Sequence, residues 1–164
     1  MRRLLPAAFA FLAAAALPWS AGAGRQAAPH EGGIEVFPPD KVQWKPGPPS
    51  LPKGAQFAVL EGDPGKAGPF VFRVKVPDGY RVPPHTHPKT ERITVLAGTF
   101  YVGMGGKVDE GAYTAMPAGA YGYWPAGMRH FVKVKGETVL QFHGEGPWSI
   151  QYLNPADDPR NRKE

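Results

Sequence analysis

The residues most able to do chemistry in this 164-residue chain are His85, His87, Glu91 and His130. In His85-Thr86-His87 the two histidines are two positions apart. On a strand that spacing puts both side chains on one face, with Cα atoms roughly 6.6 Å apart. Two imidazoles so placed can lean onto one ion. Pro83, Pro84 and Pro88 flank the pair. Proline removes ladder donors, so the strand must be short or edge-like, and the stiffened backbone presets the rings. Glu91 follows four residues after His87, and a turn through Pro88-Lys89-Thr90 brings its carboxylate back beside the rings. Two imidazoles and a carboxylate make a half-shell with open coordination positions. His130 adds a third ring from a separate strand, after the Pro125-Ala126-Gly127 turn. It shares a face with Val132 and Val134, while Phe131, Lys133 and Lys135 face the other way. A lone histidine on an apolar face is more often a satisfied core residue. Beside a His-x-His and a placed glutamate, the ligand reading is better. The chain has no cysteine, so a metal site must use imidazole and carboxylate, which suit Mn, Fe, Co, Ni, Cu and Zn.

Other side chains are candidates for a supporting role. His143 shares a strand face with Val139 and Gln141. If that face is inward, His143 sits near the metal and either orients a ligand or acts as an acid–base group; otherwise it is a pocket-lining or structural histidine. Tyr101 and Tyr123 are candidate hydrogen-bond partners for a ligand, with faces that the pattern leaves open. Arg73, Arg81 and Arg92 read as surface charges or partners of nearby acids. Most of the other aromatics read as barrel packing.

The elements that must hold these residues are strands. Twenty-one Gly and twenty Pro are poorly compatible with long helices. From Gln56 onward, runs of four to eight residues bounded by Gly, Pro or Asp follow one another: QFAVLEG, FVFRVKV, YRVPPHTH, ERITVLAG, TFYVGM, AYTAM, YGYWPAG, HFVKVKG, TVLQFHG and WSIQYLN. Phe72, Val74 and Val76 alternate with Arg73 and Lys75, which is period two. This spacing predicts an all-β sandwich or barrel over 56–153.

Before the barrel, residues 1–23 have the form of a secretory signal: Arg2-Arg3, an apolar run from Leu4 to Leu17, then Ala21-Gly22-Ala23 as a small-residue cleavage site. Cleavage after Ala23 leaves 141 residues with a formal charge of +3, against +5 for the whole chain. A periplasmic or secreted location is expected. Without a cysteine to carry lipid, no stable membrane anchor is expected. Residues 24–55 form a Pro/Gly-rich arm in which Ile34, Val36, Phe37, Val42 and Trp44 are apolar enough to wrap a barrel wall. Residues 154–164 read as a loose polar tail. Only RNRKE at the C-terminus is a basic block, which argues against a nucleic-acid partner.

The spacing of the site residues with their glycines and prolines resembles the cupin superfamily. Gly79, His85, His87, Glu91 and Gly98 stand at the positions of the first cupin motif. Gly119, Pro125, Gly127 and His130 stand at those of the second. The family's asparagine, after three intervening residues, is replaced here by Val134, which is not a ligand position. Two motifs with correct internal spacing are a specific signal. The resemblance covers roughly 56–153 and implies a single-domain cupin: a double-sheet jelly roll with an extended N-terminal arm. It further implies one divalent transition metal near the barrel centre, Fe or Mn favoured and Ni, Cu, Co or Zn possible, held by His85, His87, Glu91 and His130.

Three histidines and one glutamate around a divalent ion leave a charge of +1 and open positions for a small molecule. The leading expectation is an exported metal-dependent enzyme, dioxygenase-like, acting on a small organic substrate. The alternative is a non-catalytic metal or small-ligand binding protein of the cell envelope, and a third reading is a barrel merely stapled by its metal. Single-domain cupins pair through an outer sheet and an N-terminal arm, so a homodimer is expected.

Overall fold

A computed structural model describes residues 33–162; the segment 1–23 expected to be a signal, the start of the arm and the last two residues lie outside the described residues. Gly33 to Glu35 belong to an N-terminal unit and carry no regular secondary structure. From Val36 on, the described chain is strands and short turns.

Nine strands follow in order: β1 (Lys45–Pro46), β2 (Gln56–Gly62), β3 (Gly68–Val76), β4 (Arg81–Thr86), β5 (Glu91–Met104), β6 (Tyr113–Pro117), β7 (Tyr121–Trp124), β8 (His130–Gly146) and β9 (Gln151–Tyr152). All pairings are antiparallel. The strands β5 and β8 are long and pair with each other along their length. The first half of β5 also pairs β7, and the second half of β8 pairs β3, which continues to β2 and β1. The second half of β5 pairs β6, and the first half of β8 pairs β4, which continues to β9. One hydrogen-bonded sheet thus becomes two layers that share two bent strands, which is the jelly-roll arrangement expected.

The bend has an identifiable cause. The β5–β8 register shifts between Val95 and Ala97 and again between Ala97 and Thr99. Bulges of this kind increase twist and let a strand turn a corner. Gly98 sits there with φ +75°, and a Cβ on it would collide with Thr138 Oγ1 and the Glu137 carbonyl. The sequence pattern suggests breaks at Gly98 and Gly136, with four short strands around them. Both glycines instead lie inside continuous strands, at positive φ.

Period two sorts the faces as expected. On β3, Phe70, Phe72, Val74 and Val76 are buried. On β8, His130, Val132, Val134, Leu140 and Phe142 are buried facing the interior cavity. Phe72 stacks on Phe142 with centroids 4.8 Å apart and on Phe70 at 5.3 Å. Burying each such side chain contributes about 1.5–3 kcal/mol.

Two peripheral segments differ from expectation. Val42 is buried and Trp44 half-buried under the Lys75 ammonium, 5.0 Å from its ring centroid, but Val36 and Phe37 stay exposed. The segment after Asn154, expected to be loose, forms two 3-10 turns, Pro155–Asp157 and Pro159–Asn161. The Asn154 and Asp158 side chains accept the Ala156 and Arg160 amide hydrogens and cap them.

Candidate metal centre

The site lies at one end of the barrel, where the two layers meet. His85, on β4, is the cross-strand partner of His130 at the start of β8. Pro83 and Pro84 fall where the β4–β8 register shifts, so the prolines interrupt the ladder just before the ligand position. The strand ends at Thr86 and His87 lies just beyond it. It is tied to the second motif all the same, because its carbonyl accepts the Gly127 N–H at 2.8 Å. Glu91 opens β5 in the other layer, directly across from Trp124 at the end of β7.

The structure brings all four predicted residues together, and all are buried: 3% exposed for His85 and His87, 4% for Glu91 and 0% for His130. Ring centroids are 4.1 Å apart for His85–His130, 4.9 Å for His85–His87 and 5.3 Å for His87–His130. One nitrogen from each ring lies within 4.8 Å of the others, a trio that could hold a metal ion.

Hydrogen bonding fixes the tautomers. His85 Nδ1 meets the Pro83 carbonyl at 2.7 Å, His87 Nδ1 the Ser149 carbonyl at 2.8 Å, and His130 Nδ1 the Met128 carbonyl at 3.0 Å. A carbonyl only accepts, so each Nδ1 carries the hydrogen and each Nε2 of a neutral ring has a free lone pair. Nε2 of His87 and of His130 each lie 3.1 Å from Glu91 Oε2. Neither contact has hydrogen-bonding geometry, and both nitrogens are buried without a partner. Lone pairs facing a carboxylate oxygen at that distance repel unless a cation sits among them. This is the donor set and the orphaned valence that a divalent transition metal fits.

Electrostatics agree. Burial, followed by the neighbouring His130 and His87, pushes the His85 imidazole down to about 3, so it stays neutral and able to ligate at ordinary pH. Burial alone would raise the Glu91 carboxyl, but positive charge at the edge it shares with His87 and His130 outweighs burial and holds it well below the usual carboxylate range.

Two tryptophans complete the site, and the sequence pattern alone does not set them apart from the other aromatics. Trp124 Nε1 donates to Glu91 Oε2 at 2.6 Å, and Trp148 stacks on His87 with centroids 4.3 Å apart and planes 14° apart. A signal for Trp124 existed. It stands directly before Pro125 in the second motif, and period two puts it on the face opposite Tyr123.

The supporting candidates are corrected. His143, Tyr101 and Tyr123 do not line the cavity beside the site. His143 alternates with the inward Phe142 and stacks on Tyr121 at 6.0 Å on the outer face. Tyr101 lies between the inward Phe100 and Val102, against Tyr113 and 5.7 Å from the Lys133 ammonium. Tyr123 is 66% exposed. Arg81 pairs with Glu110 on the surface, as expected of a charge remote from the site.

The model of the ChrR cupin-like domain matches residues 32–149, well over half of the chain. The chain belongs to that cupin family. Solved structures similar to this cupin show the same fold at low identity. The polyketide cyclase RemF from Streptomyces resistomycificus is 17% identical, with TM-score 0.63, covering 77% of this chain and 90% of its own. An acetylacetone dioxygenase from Acinetobacter johnsonii is 18% identical, with TM-score 0.57, covering 79% and 83%. An RmlC-like cupin from Shewanella frigidimarina is 12% identical, with TM-score 0.52, covering 76% and 96%. No curated protein matches the chain significantly. Within this cupin, the family's asparagine position holds Val134, which is 6% exposed and lines the cavity.

Proposed function

We propose that this cupin is a metal-dependent enzyme of dioxygenase type acting on a small organic substrate, with one divalent transition metal held by His85, His87, Glu91 and His130. The observation that carries the proposal is the set of three imidazoles anchored through Nδ1, with Nε2 of His87 and His130 left facing the Glu91 carboxylate. A bound ion supplies Lewis acidity and, for the favoured Fe or Mn, one-electron chemistry with O₂. The chain's own residues supply the rest. The Pro83, Ser149 and Met128 carbonyls keep the rings oriented. Trp124 holds Glu91 Oε2 in place, and the apolar walls exclude water. The shared fold of the Acinetobacter dioxygenase supports the reaction type by analogy.

A specific observation favours a second reading, a non-catalytic metal or small-ligand binder. His143, Tyr101 and Tyr123 turn away, so no histidine outside the proposed ligand set lines the cavity among the described residues. The two readings separate on turnover. The enzyme should take up O₂ with acetylacetone or a related 1,3-diketone, lose this with chelator, and regain it with one particular metal. Ligand-dependent melting with no product from any metal form would leave the binder.

Export to the periplasm or beyond is part of the same proposal and is supported by residues 1–23 alone. So is pairing as a homodimer, which the exposed Val36 and Phe37 of the arm suit.

A further inference from the structure

The cavity beside the four site residues is unusual for how little it offers a polar ligand. Its volume is about 80 Å³. The walls are Phe72, Phe142, Ile93, Val132, Val134 and Leu140, with Phe57 and Trp148 toward an outer recess. Among the described residues that line it, none is Lys, Arg, Asp, Asn or Gln. The Tyr80 hydroxyl reaches this wall but is committed, donating to the Pro52 carbonyl at 2.7 Å. Three cations close to the cavity or its recess are engaged elsewhere: Arg81 and Lys133 with Glu110, and Arg160, which lines the recess, with Asp158. Val134 adds a hydrocarbon wall where the cupin motif has an amide. Apart from Ser50, which lines the cavity and is shared with the outer recess, and the committed Tyr80, the polar side chains inside the cavity all belong to one end, the His–Glu cluster.

We propose that this cavity selects ligands whose oxygen atoms lie at one end, carry at most one negative charge, and continue into a short uncharged hydrocarbon chain. The inference rests on the metal-site reading above. A divalent ion with three neutral imidazoles and one carboxylate has a charge of +1, which one anionic group neutralises. A second anionic group would be buried against phenylalanine and valine with no cation to meet it, and that costs several kcal/mol in principle. The hydrocarbon part must be small. A void of about 150 Å³ takes benzene, and this cavity is roughly half that. A longer chain must run out past Phe57 and Trp148, into the recess that shares Pro48, Ser50, Phe57, Phe72, Trp148 and Ile150 as walls.

The test uses Co²⁺-loaded full-length protein titrated with alkyl hydroxamates, which carry both oxygens at one end and a single charge, against malonate and oxalate. Binding is read by calorimetry and by the cobalt absorption spectrum, so no turnover is needed. Affinity should rise about fourfold per methylene from acetohydroxamate, the value for a fully buried CH₂. It should level off once the chain reaches the mouth. Both dianions should bind at least tenfold more weakly than butyrohydroxamate. Phe57→Asn, at a half-buried position shared by the cavity and the recess, should flatten the longer end of the series and leave acetohydroxamate binding in place. A flat or falling series in the native protein, or dianions binding as tightly as butyrohydroxamate, would overturn the inference whether or not the variant folds. Failure of Co²⁺ uptake, measured first, would instead remove the metal-site reading.

Discussion

At the scale of single residues, the centre depends on groups that hold the ligands as much as on the ligands. Trp124 donates to Glu91 Oε2 at 2.6 Å and is only 6% exposed. Trp124→Phe keeps the ring packing on Phe100 and removes only the donor. Loss of such a partner typically costs 10–100-fold in metal affinity, and a competition titration against a chromophoric chelator should show a loss in that range with folding intact. The second expectation concerns pH. In the metal-free protein the His85 ring is neutral down to about 3, whereas an unfolded histidine takes a proton near 6.5. Between those values the unfolded chain holds the extra proton, so stability falls as pH falls, by up to about 1.4 kcal/mol per unit. Glu91 adds to the fall below about 4.5, since its folded carboxyl resists protonation that the unfolded one accepts. Denaturant melts of chelator-treated protein from pH 7 to 4 should show this slope, and His85→Gln should lose the part above pH 5. The four proposed ligands were legible from spacing because histidine is scarce, with five in the chain, and because Glu91 stands at a fixed distance from a His-x-His pair. Trp124 was legible only in part: its place before Pro125 and its face can be read from the sequence, but its role depends on the cross-strand position opposite Glu91, which only the pairing gives.

At the scale of elements, the decisive feature is that β5 and β8 bend without breaking. Gly98, at φ +75°, has no room for a Cβ against Thr138 and Glu137. Gly98→Ala adds left-handed strain to overpacking and should cost about 2–4 kcal/mol. A thermal melt should drop by roughly 10 °C; an unchanged melt would mean that the corner is not set there. Sequence pattern located the strands and their inward faces on β3 and the start of β8, where valine and phenylalanine alternate with arginine and lysine. It was ambiguous on the later part of β8. There Val139 stands on one face and Leu140 on the other, and only tertiary pairing decides that His143 turns out toward Tyr121. Gly98 and Gly136 read as strand ends, because a glycine at positive φ looks the same in sequence whether it closes a turn or bends a strand. The C-terminal segment read as loose for a similar reason. Its caps, Asn154 and Asp158, are common in disordered tails too.

At the scale of the whole molecule, two layers sharing bent strands converge at one end, and the two motifs meet there across the Gly127–His87 hydrogen bond. The barrel then supplies a small apolar cavity beside the only polar cluster that lines it among the described residues. Fold and site therefore point to one task, the holding of an ion and a small ligand away from water. The central claim is the ion itself. Anomalous diffraction, recorded above the metal absorption edges on crystals of untagged protein from its native compartment, tests it directly. One strong peak per chain is expected, bonded to a nitrogen of His85, His87 and His130 and to a Glu91 oxygen, with the edge position naming the metal. No peak among these four side chains in protein purified without chelator, or a peak elsewhere, would contradict the account.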